Sequence, residues 1–181
     1  MNPTTVLSAF QWSGYQNTSF EDLGAVIGVD AHTLEKEFGD KKSLLEWAMK
    51  SSVEAMYQSA IASLFDETHP PFERLKGAFN IWVGETMPST APTAESEEVM
   101  AVAMSLAQTD GFDPSVEFAE QLAQFLLSLG LVGRIGVARE KAFLLLMAAK
   151  GLLMTSQSKE IFSAGFERCI LAAFPKIMRK H

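Results

Sequence analysis

The sequence predicts an all-α fold with about nine helices. Apolar residues recur at helical spacing along most of the 181 residues, and no stretch shows strand-like alternation of useful length. Capping residues, glycines and prolines interrupt this pattern where helices should begin and end. Hydrophobic residues make up 48% of the chain and charged residues 20%, which is the composition of a folded globule. We therefore expect a helical protein that buries its own apolar core.

Two short helices separated by a tight turn are predicted near the amino terminus. Ser19, with Asp22 three residues later, is typical of a capping box that opens a helix. Gly28 is placed to end that helix, because glycine accepts the left-handed conformation at little steric cost. Asp30 is placed to cap the next helix, which leaves only Gly28 and Val29 as the connection. This spacing is typical of a helix-turn-helix.

Prolines and apolar spacing define the remaining helices. Pro70 and Pro71 suit the start of a helix, and residues 87–96, with two further prolines, form the predicted loop. Residues 110–113 and 131–137 are predicted turns. The predicted helices are residues 4–13, 20–27, 31–38, 41 to about 64, 72–86, 97–108, 114–129, 139–155 and 159–174.

Charge and cysteine content narrow the class of protein. The formal charge is −7, which argues against a protein that coats nucleic acid or anionic membrane over its whole surface. The single cysteine, Cys169, excludes an internal disulfide. The sequence shows no signal-peptide pattern and no apolar run of membrane-spanning length. We therefore expect a cytoplasmic protein that does not act in a membrane.

Residue patterns that carry catalysis, metals or cofactors are missing from the sequence. The three histidines lie far apart and show no metal-ligand spacing with Cys, Asp or Glu. Gly130, Gly133 and Gly136 differ in spacing from a dinucleotide-binding fingerprint and follow no strand. Neither a phosphate-binding loop nor a nucleophile elbow occurs. We therefore expect no catalytic residue, no metal site, no cofactor and no enzymatic activity.

Residues 14–45, with the sequence GYQNTSFEDLGAVIGVDAHTLEKEFGDKKSLL, resemble the DNA-binding domain of the TetR family of bacterial transcriptional regulators. The family pattern has a glycine and Thr-Ser before the second helix, a Gly-Val turn, Thr-Leu and Phe in the recognition helix, and Lys at the fourth helix. Beyond residue 47, the chain is similar to the family in length and helical content. The matching positions are Gly14, Thr18, Ser19, Leu23, Gly28, Val29, Thr33, Leu34, Phe38, Lys41 and Leu44.

The resemblance implies a nine-helix protein whose first three helices bind operator DNA. Residues 1–47 would form the helix-turn-helix domain, and residues 48–181 a helical ligand-binding and dimerisation domain. The last two helices would form a two-fold homodimer, which places the paired recognition helices in successive major grooves about 34 Å apart. Ligand would act by changing that separation. The implied function is a ligand-responsive transcriptional regulator.

Five residues around the recognition helix are candidates for contact with DNA. His32 and Thr33 are placed to touch base edges or phosphate, and Lys36 is placed to reach a phosphate. Lys41 and Lys42 stand at the start of the fourth helix, where backbone amides also favour anions. For each lysine, a solvated surface cation is an equal alternative to a phosphate contact.

The same region carries charges that oppose DNA binding. The family usually has tyrosine after Thr-Leu and often has histidine before Phe, whereas this chain has Glu35 and Glu37. Residues 1–13 contain no Lys or Arg, and residues 1–50 hold four lysines against seven carboxylates, a net charge of −3. Phosphate neutralisation supplies most nonspecific affinity for DNA. The alternative hypothesis is a regulator fold that has lost DNA binding and acts through a basic protein partner or a ligand.

Two further sets of residues are predicted beyond the helix-turn-helix. A hydrophobic small-molecule ligand is expected between helices five and eight, with plain core packing as the alternative for each lining residue. A homodimer interface is expected on the last two helices, which hold more apolar residues than one buried face needs. The predicted ligand-lining residues are Phe79, Trp82, Met100, Met104, Phe118, Leu122, Phe125 and Met147. The predicted dimer-interface residues are Leu144, Met147, Ala148, Gly151, Phe162, Phe166 and Ile170.

Overall fold

The computed structural model describes residues 1–86, 93–107 and 114–179, with side chains in these ranges except at 103–107 and 179. These ranges contain nine α-helices, two short 3-10 helices and no strand, which confirms the predicted all-α fold. The helices are α1 (Pro3–Ser13), α2 (Phe20–Ile27), α3 (Ala31–Phe38), α4 (Lys41–Phe65), α5 (Pro71–Trp82), α6 (Ala94–Ala107), α7 (Pro114–Ser128), α8 (Ile135–Thr155) and α9 (Lys159–Ala173). The 3-10 helices are η1 (Gly84–Thr86) and η2 (Ile177–Arg179).

The chain divides into two compact units. Unit 1 holds residues 1–55 and 93–107, and so contains α1 to α3, the first part of α4, and α6. Unit 2 holds residues 56–86 and 114–179, which include the rest of α4, α5, α7 to α9 and both 3-10 helices. The predicted domain boundary after residue 47 stays a prediction, and α4 runs through that point without a break.

The short helices of unit 1 begin where their capping residues lie. The Ser19 hydroxyl accepts a hydrogen bond from the Asp22 amide at 3.1 Å, and the Asp22 carboxylate accepts one from the Ser19 amide at 2.9 Å. This reciprocal pair satisfies amides that the first turn of α2 leaves without helical partners. The Ser19 hydroxyl also donates to the Asp22 carboxylate at 2.7 Å, and this bond, together with the one from the Ser19 amide, lowers the pKa of Asp22. The Asp30 carboxylate caps α3 in a similar way, by accepting from the Thr33 amide at 3.1 Å.

Two later helices begin earlier than predicted. α6 starts at Ala94 rather than residue 97, because Thr93 and Ser96 cap it with reciprocal amide-to-hydroxyl hydrogen bonds of 2.9 and 3.2 Å. α8 starts at Ile135 rather than residue 139, so the predicted turn over 131–137 is too long. The first turn of α8 includes Gly136, because a helix tolerates one glycine at a cost of about 1 kcal/mol. The predicted turn 110–113 and most of the loop 87–96 lie outside the described residues.

The core of unit 1 joins α6 to the helix-turn-helix. The fully buried members include Phe10 of α1, Leu23 of α2 and Leu34 of α3. Leu44 and Leu45 of α4 and Val99 of α6 belong to the same cluster. Each short helix therefore gains its stability from this shared core, because eight-residue helices are marginal alone in water.

Aromatic rings fill the core of unit 2. The Phe79 ring of α5 lies 4.2 Å from the Phe166 ring and 5.5 Å from the Phe118 ring, measured between centroids. Phe118 also stacks on Trp82 at 5.1 Å, and Phe162 continues the series beyond Phe166. Offset and edge-on contacts of this kind add to the free energy of burial.

We predict that Phe79→Ala destabilises unit 2 by about 3–5 kcal/mol, because the cavity it leaves lies among rings that cannot collapse fully. The measurement is urea denaturation followed by circular dichroism. Phe143→Ala is the matched control, since Phe143 is an exposed phenylalanine of the same unit. Equal losses of stability in the two variants would contradict the packing described above.

Candidate nucleic-acid interface

A close approach between two backbone segments sets the angle between α2 and α3. Gly28 adopts φ 76° and ψ 29°, the left-handed conformation, and its amide donates to the Gly24 carbonyl at 2.9 Å. The Val29 amide donates to the same carbonyl at 3.1 Å. A Cβ at Gly24 would lie 2.5 Å from the Val29 carbonyl oxygen and 3.3 Å from the Ala31 nitrogen. Gly24 is not among the residues that the sequence patterns singled out, although a glycine four residues before the turn glycine is a usable signal.

The α3 helix buries one face and exposes the other. Leu34 is fully buried in the core of unit 1, and the half-buried Phe38 ring lies 5.5 Å from the Trp47 ring. His32, Thr33 and Lys36, which the sequence assigned to DNA contact, are all exposed. The structure therefore presents these three residues together on the outer face of α3. Glu35 and Glu37 are exposed on the same short helix.

Lys41 is bound within the protein. Its ammonium donates to the carbonyl oxygens of Tyr15 at 3.0 Å, Gln16 at 3.3 Å and Thr18 at 2.6 Å. It also lies 5.2 Å from the centroid of the Tyr15 ring. An ammonium has three hydrogens to donate, and all three are directed at these carbonyls. A phosphate contact by Lys41 would have to replace one of them.

The turn between α1 and α2, residues 14–18, is held from a second side by α6. One carboxylate oxygen of Glu98 accepts from the Tyr15 amide at 3.1 Å, and the other accepts from the Gln16 amide at 3.1 Å. We call this segment the α1–α2 turn. Glu98 thus accepts hydrogen bonds from amides of the α1–α2 turn, and Lys41 donates hydrogen bonds to carbonyls of the same turn. Sequence patterns do not predict this role for Glu98.

Lys42, the neighbour of Lys41, is exposed. It faces solvent beside Asp40, whose carboxylate caps α4 by accepting from the Ser43 amide at 2.7 Å. The hydrogen bonds from Ser43 lower the pKa of Asp40, and the charge of Lys42 lowers it further. Lys42 and Lys36 are therefore lysines of the candidate interface whose ammonium groups remain open to solvent.

The predicted ligand-lining residues do not form one set. Five of them, Phe79, Trp82, Phe118, Leu122 and Phe125, are buried together in unit 2. The prediction that Met100 lines the ligand pocket is wrong, because Met100 lies in unit 1 and is 56% exposed. Met147 is likewise exposed on α8 and does not line an interior. The side chain of Met104 lies outside the described residues.

The predicted dimer residues also divide into two groups. Leu144, Met147 and Gly151 are exposed along α8, and Ala148 is half-buried. Phe162, Phe166 and Ile170 are core residues rather than interface residues, because all three are fully buried within unit 2. Apolar residues of α9 can pack inside the unit or at an interface, and their spacing in the sequence does not distinguish these two locations.

Other features of the described residues bear on binding. A surface groove of about 430 Å³ in unit 2 is lined by Phe162, Gly84 and polar residues that include Asn80, Glu85 and Lys159. It holds none of the predicted ligand-lining residues. No group of three or more potential metal ligands occurs in the described ranges. Within the same ranges, no helix is long and apolar enough to cross a bilayer.

Comparison with known proteins adds one finding about the fold. No family model and no curated protein matches the chain. The crystal structure of a transcriptional regulator from Rhodococcus sp. Rha1 superposes with a TM-score of 0.56, covering 99% of this chain and 97% of that one at 15% identity. The chain shares the fold of that regulator. Membership of the TetR family itself stays a prediction.

We predict that Gly24→Ala lowers the free energy of unfolding of unit 1 by about 1–3 kcal/mol, because the new methyl group meets backbone atoms that cannot rotate away. Thermal denaturation followed by circular dichroism measures the effect. Gly136→Ala is the control, since a Cβ there meets nothing within 4 Å. We expect that control to be neutral or slightly stabilising. A neutral Gly24→Ala would show that α2 and α3 are not this close.

We predict that Lys41→Met destabilises unit 1 by about 1–3 kcal/mol, because three carbonyl oxygens lose a charged donor. Lys42→Met is the matched control, as its side chain is exposed and we expect little change. Both variants are measured by urea denaturation without DNA. If the Lys41→Met and Lys42→Met variants have the same free energy of unfolding, then Lys41 does not hold the α1–α2 turn.

Proposed function

We propose that this protein is a ligand-responsive transcriptional regulator that binds operator DNA as a homodimer. The observation that carries the proposal is the exposed outer face of α3, the second helix of a helix-turn-helix fixed by the close approach of Gly24 to the backbone of Val29 and Ala31. The shared fold with a transcriptional regulator supports it. In this function the chain acts by binding, as a cytoplasmic protein without catalytic residues or cofactors.

The proposed DNA contacts differ in kind. His32 and Thr33 lie at the start of α3, from which recognition helices reach base edges, so they would contribute to sequence preference. Lys36 and Lys42 would neutralise phosphates, which raises affinity for all sequences together. Lys41 would act indirectly, by holding the α1–α2 turn against the first turn of α4.

The proposed dimer uses the outer face of α8. Leu144, Met147, Gly151 and Met154 follow one another at spacings of three and four residues, which places them on one side of the helix. Leu144 is 57% exposed and Met154 is 87% exposed. A second copy of the same face would bury this apolar surface, and a two-fold axis would pair α8 with itself.

We predict that the double substitution Leu144→Glu and Met154→Glu converts the dimer to a monomer, because it places like charges opposite each other across the two-fold axis. Light scattering coupled to gel filtration measures the mass. Val116→Glu, at an exposed apolar position of α7, is the control and should leave the mass unchanged. A monomeric parent protein at micromolar concentration would remove the dimer from the proposal.

The proposed ligand is apolar, because its candidate lining is aromatic. Phe79, Trp82 and Phe118 contact one another in the core of unit 2. A ligand that enters there must separate these rings, and it would then stabilise the expanded arrangement against unfolding. Thermal shift with a hydrophobic library tests this part, and the absence of any stabilising compound would argue against it.

A second candidate function is supported by the charges of unit 1. Lys41 is engaged with backbone carbonyls, and the exposed α3 helix carries Glu35 and Glu37 against one lysine. In this second function the regulator fold has lost DNA binding, and the α3 face contacts a basic protein partner. Electrostatic complementarity of this kind sets partner choice and association rate.

The double substitution Glu35→Tyr and Glu37→His separates the two functions. If α3 binds DNA, removing two carboxylates should strengthen binding to genomic fragments at low salt by about tenfold or more. Adding Lys36→Ala to the same background should weaken all fragments alike and flatten the salt dependence. If the variant still shows no binding at micromolar dimer, the DNA-binding function is wrong. A basic protein retained by the parent chain and lost by the variant would then establish the second function.

A further inference from the structure

Gly151 is a glycine that the packing of its own chain does not require. It lies within α8 and is exposed, and a Cβ placed on it would meet none of the described residues within 4 Å. Glycine weakens a helix relative to alanine, because it loses more backbone entropy when the helix forms. Contacts among the described residues therefore give no reason for the missing side chain at this position.

The surface around Gly151 combines a gap with a projecting side chain. Met147 lies one turn earlier on the same side of α8 and is 40% exposed. Thr155 lies one turn later, and its hydroxyl donates to the Gly151 carbonyl at 3.0 Å, so this polar group is bonded within its own helix. The same side of α8 continues to Leu144 in one direction and to Met154 in the other. A bulky position and an empty position thus follow each other on one apolar face.

We propose that α8 pairs antiparallel with α8 of a second copy, with Met147 of each copy packed against the partner's Gly151. The inference rests on the proposed function, because it deepens the homodimer that uses this face. In a two-fold pair, when one residue faces another, the second also faces the first across the axis. Placing Met147 opposite the partner's Gly151 in an antiparallel pair also places Leu144 opposite the partner's Met154. The flexible methionine fills the gap that glycine leaves, as a knob fills a hole between packed helices.

The charge of Glu140 favours the antiparallel arrangement over a parallel one. Glu140 is exposed one turn before Leu144, on the same side of α8. A parallel two-fold pair would bring every residue opposite its own copy, so the two Glu140 carboxylates would face and repel each other. In the antiparallel pair, the position opposite Glu140 lies beyond Thr155, where α8 has ended. The carboxylate then remains outside the contact between the two helices.

The first test exchanges the two residues and measures the dimer dissociation constant of the full chain by analytical ultracentrifugation. Gly151→Met should raise this constant about tenfold or more, because two methionines must then share one packed contact. Met147→Gly should raise it as well, because two facing glycines leave a gap. The double variant keeps one methionine and one glycine in each contact, so its constant should return to within about threefold of the parent value.

Gly136→Met is the matched control for the exchange. Gly136 is an exposed glycine of α8 with equally open surroundings, and it lies before the paired stretch. We expect this variant to dimerise like the parent. All variants are checked for folding by circular dichroism. Single variants that dimerise like the parent, or a folded double variant that dimerises no better than the single ones, would overturn the pairing.

The second test maps the same contact with cysteines in a Cys169→Ser background, and it decides the question if Met147→Gly does not fold. Leu144→Cys and Met154→Cys in one chain should give a covalent dimer under mild oxidation, because the two positions face each other across the axis. Within one chain they lie about 15 Å apart, which is too far for an internal disulfide. Each cysteine alone should give no covalent dimer. Cross-linking by Leu144→Cys alone, or no cross-linking by the double variant, would overturn the antiparallel pairing.

The mass of the parent protein distinguishes a failure of this inference from a failure of the proposed function. A parent that is monomeric at micromolar concentration removes the proposed homodimer and the pairing together. A dimeric parent that fails the exchange or the cross-linking test keeps the proposed homodimer and overturns only the pairing of Met147 with the partner's Gly151.

Discussion

The packing of the helix-turn-helix against α4 and α6 depends on how the α1–α2 turn is held. Lys41 supplies donors to three of its carbonyls, and Glu98 supplies acceptors to two of its amides. Such a turn exposes backbone groups that neither neighbouring helix satisfies, and leaving them unpaired against a core is costly. The two charged side chains come from α4 and α6, so the turn fastens both helices to the helix-turn-helix.

This use of Lys41 changes the charge available for DNA. A lysine that fills its three donors inside the protein contributes little to phosphate neutralisation, which depends on accessible cations. On the candidate interface the exposed lysines Lys36 and Lys42 then stand against Glu35 and Glu37. DNA binding by such a face relies on contacts to base edges and on low salt, whereas a basic protein partner would gain from the same carboxylates.

Apolar residues of unit 2 lie both in its interior and on its surface. Its rings, with Phe79 in contact with Phe118 and Phe166, fill the interior, while Leu144 and Met154 leave apolar surface on the outside of α8. Single exposed apolar residues are ordinary, but a row of them along one helix face is typical of a surface that meets another protein. Arg74 is a charged residue that is only 8% exposed, and its Nε donates to the Leu64 carbonyl at the end of α4.

The sequence alone determined the helical fold and the ends of α2 and α3. Those features depend on caps, a left-handed glycine and apolar spacing, which act over a few neighbouring residues. Tertiary structure decided that Lys41 holds a turn, that Glu98 meets the same turn from α6, and that Phe162, Phe166 and Ile170 are core. These outcomes depend on which distant side chains and backbone groups come within hydrogen-bonding or packing distance. Local sequence patterns do not reveal these distances. The residues that flank a lysine in the sequence are the same whether its side chain is exposed or bound to a distant turn.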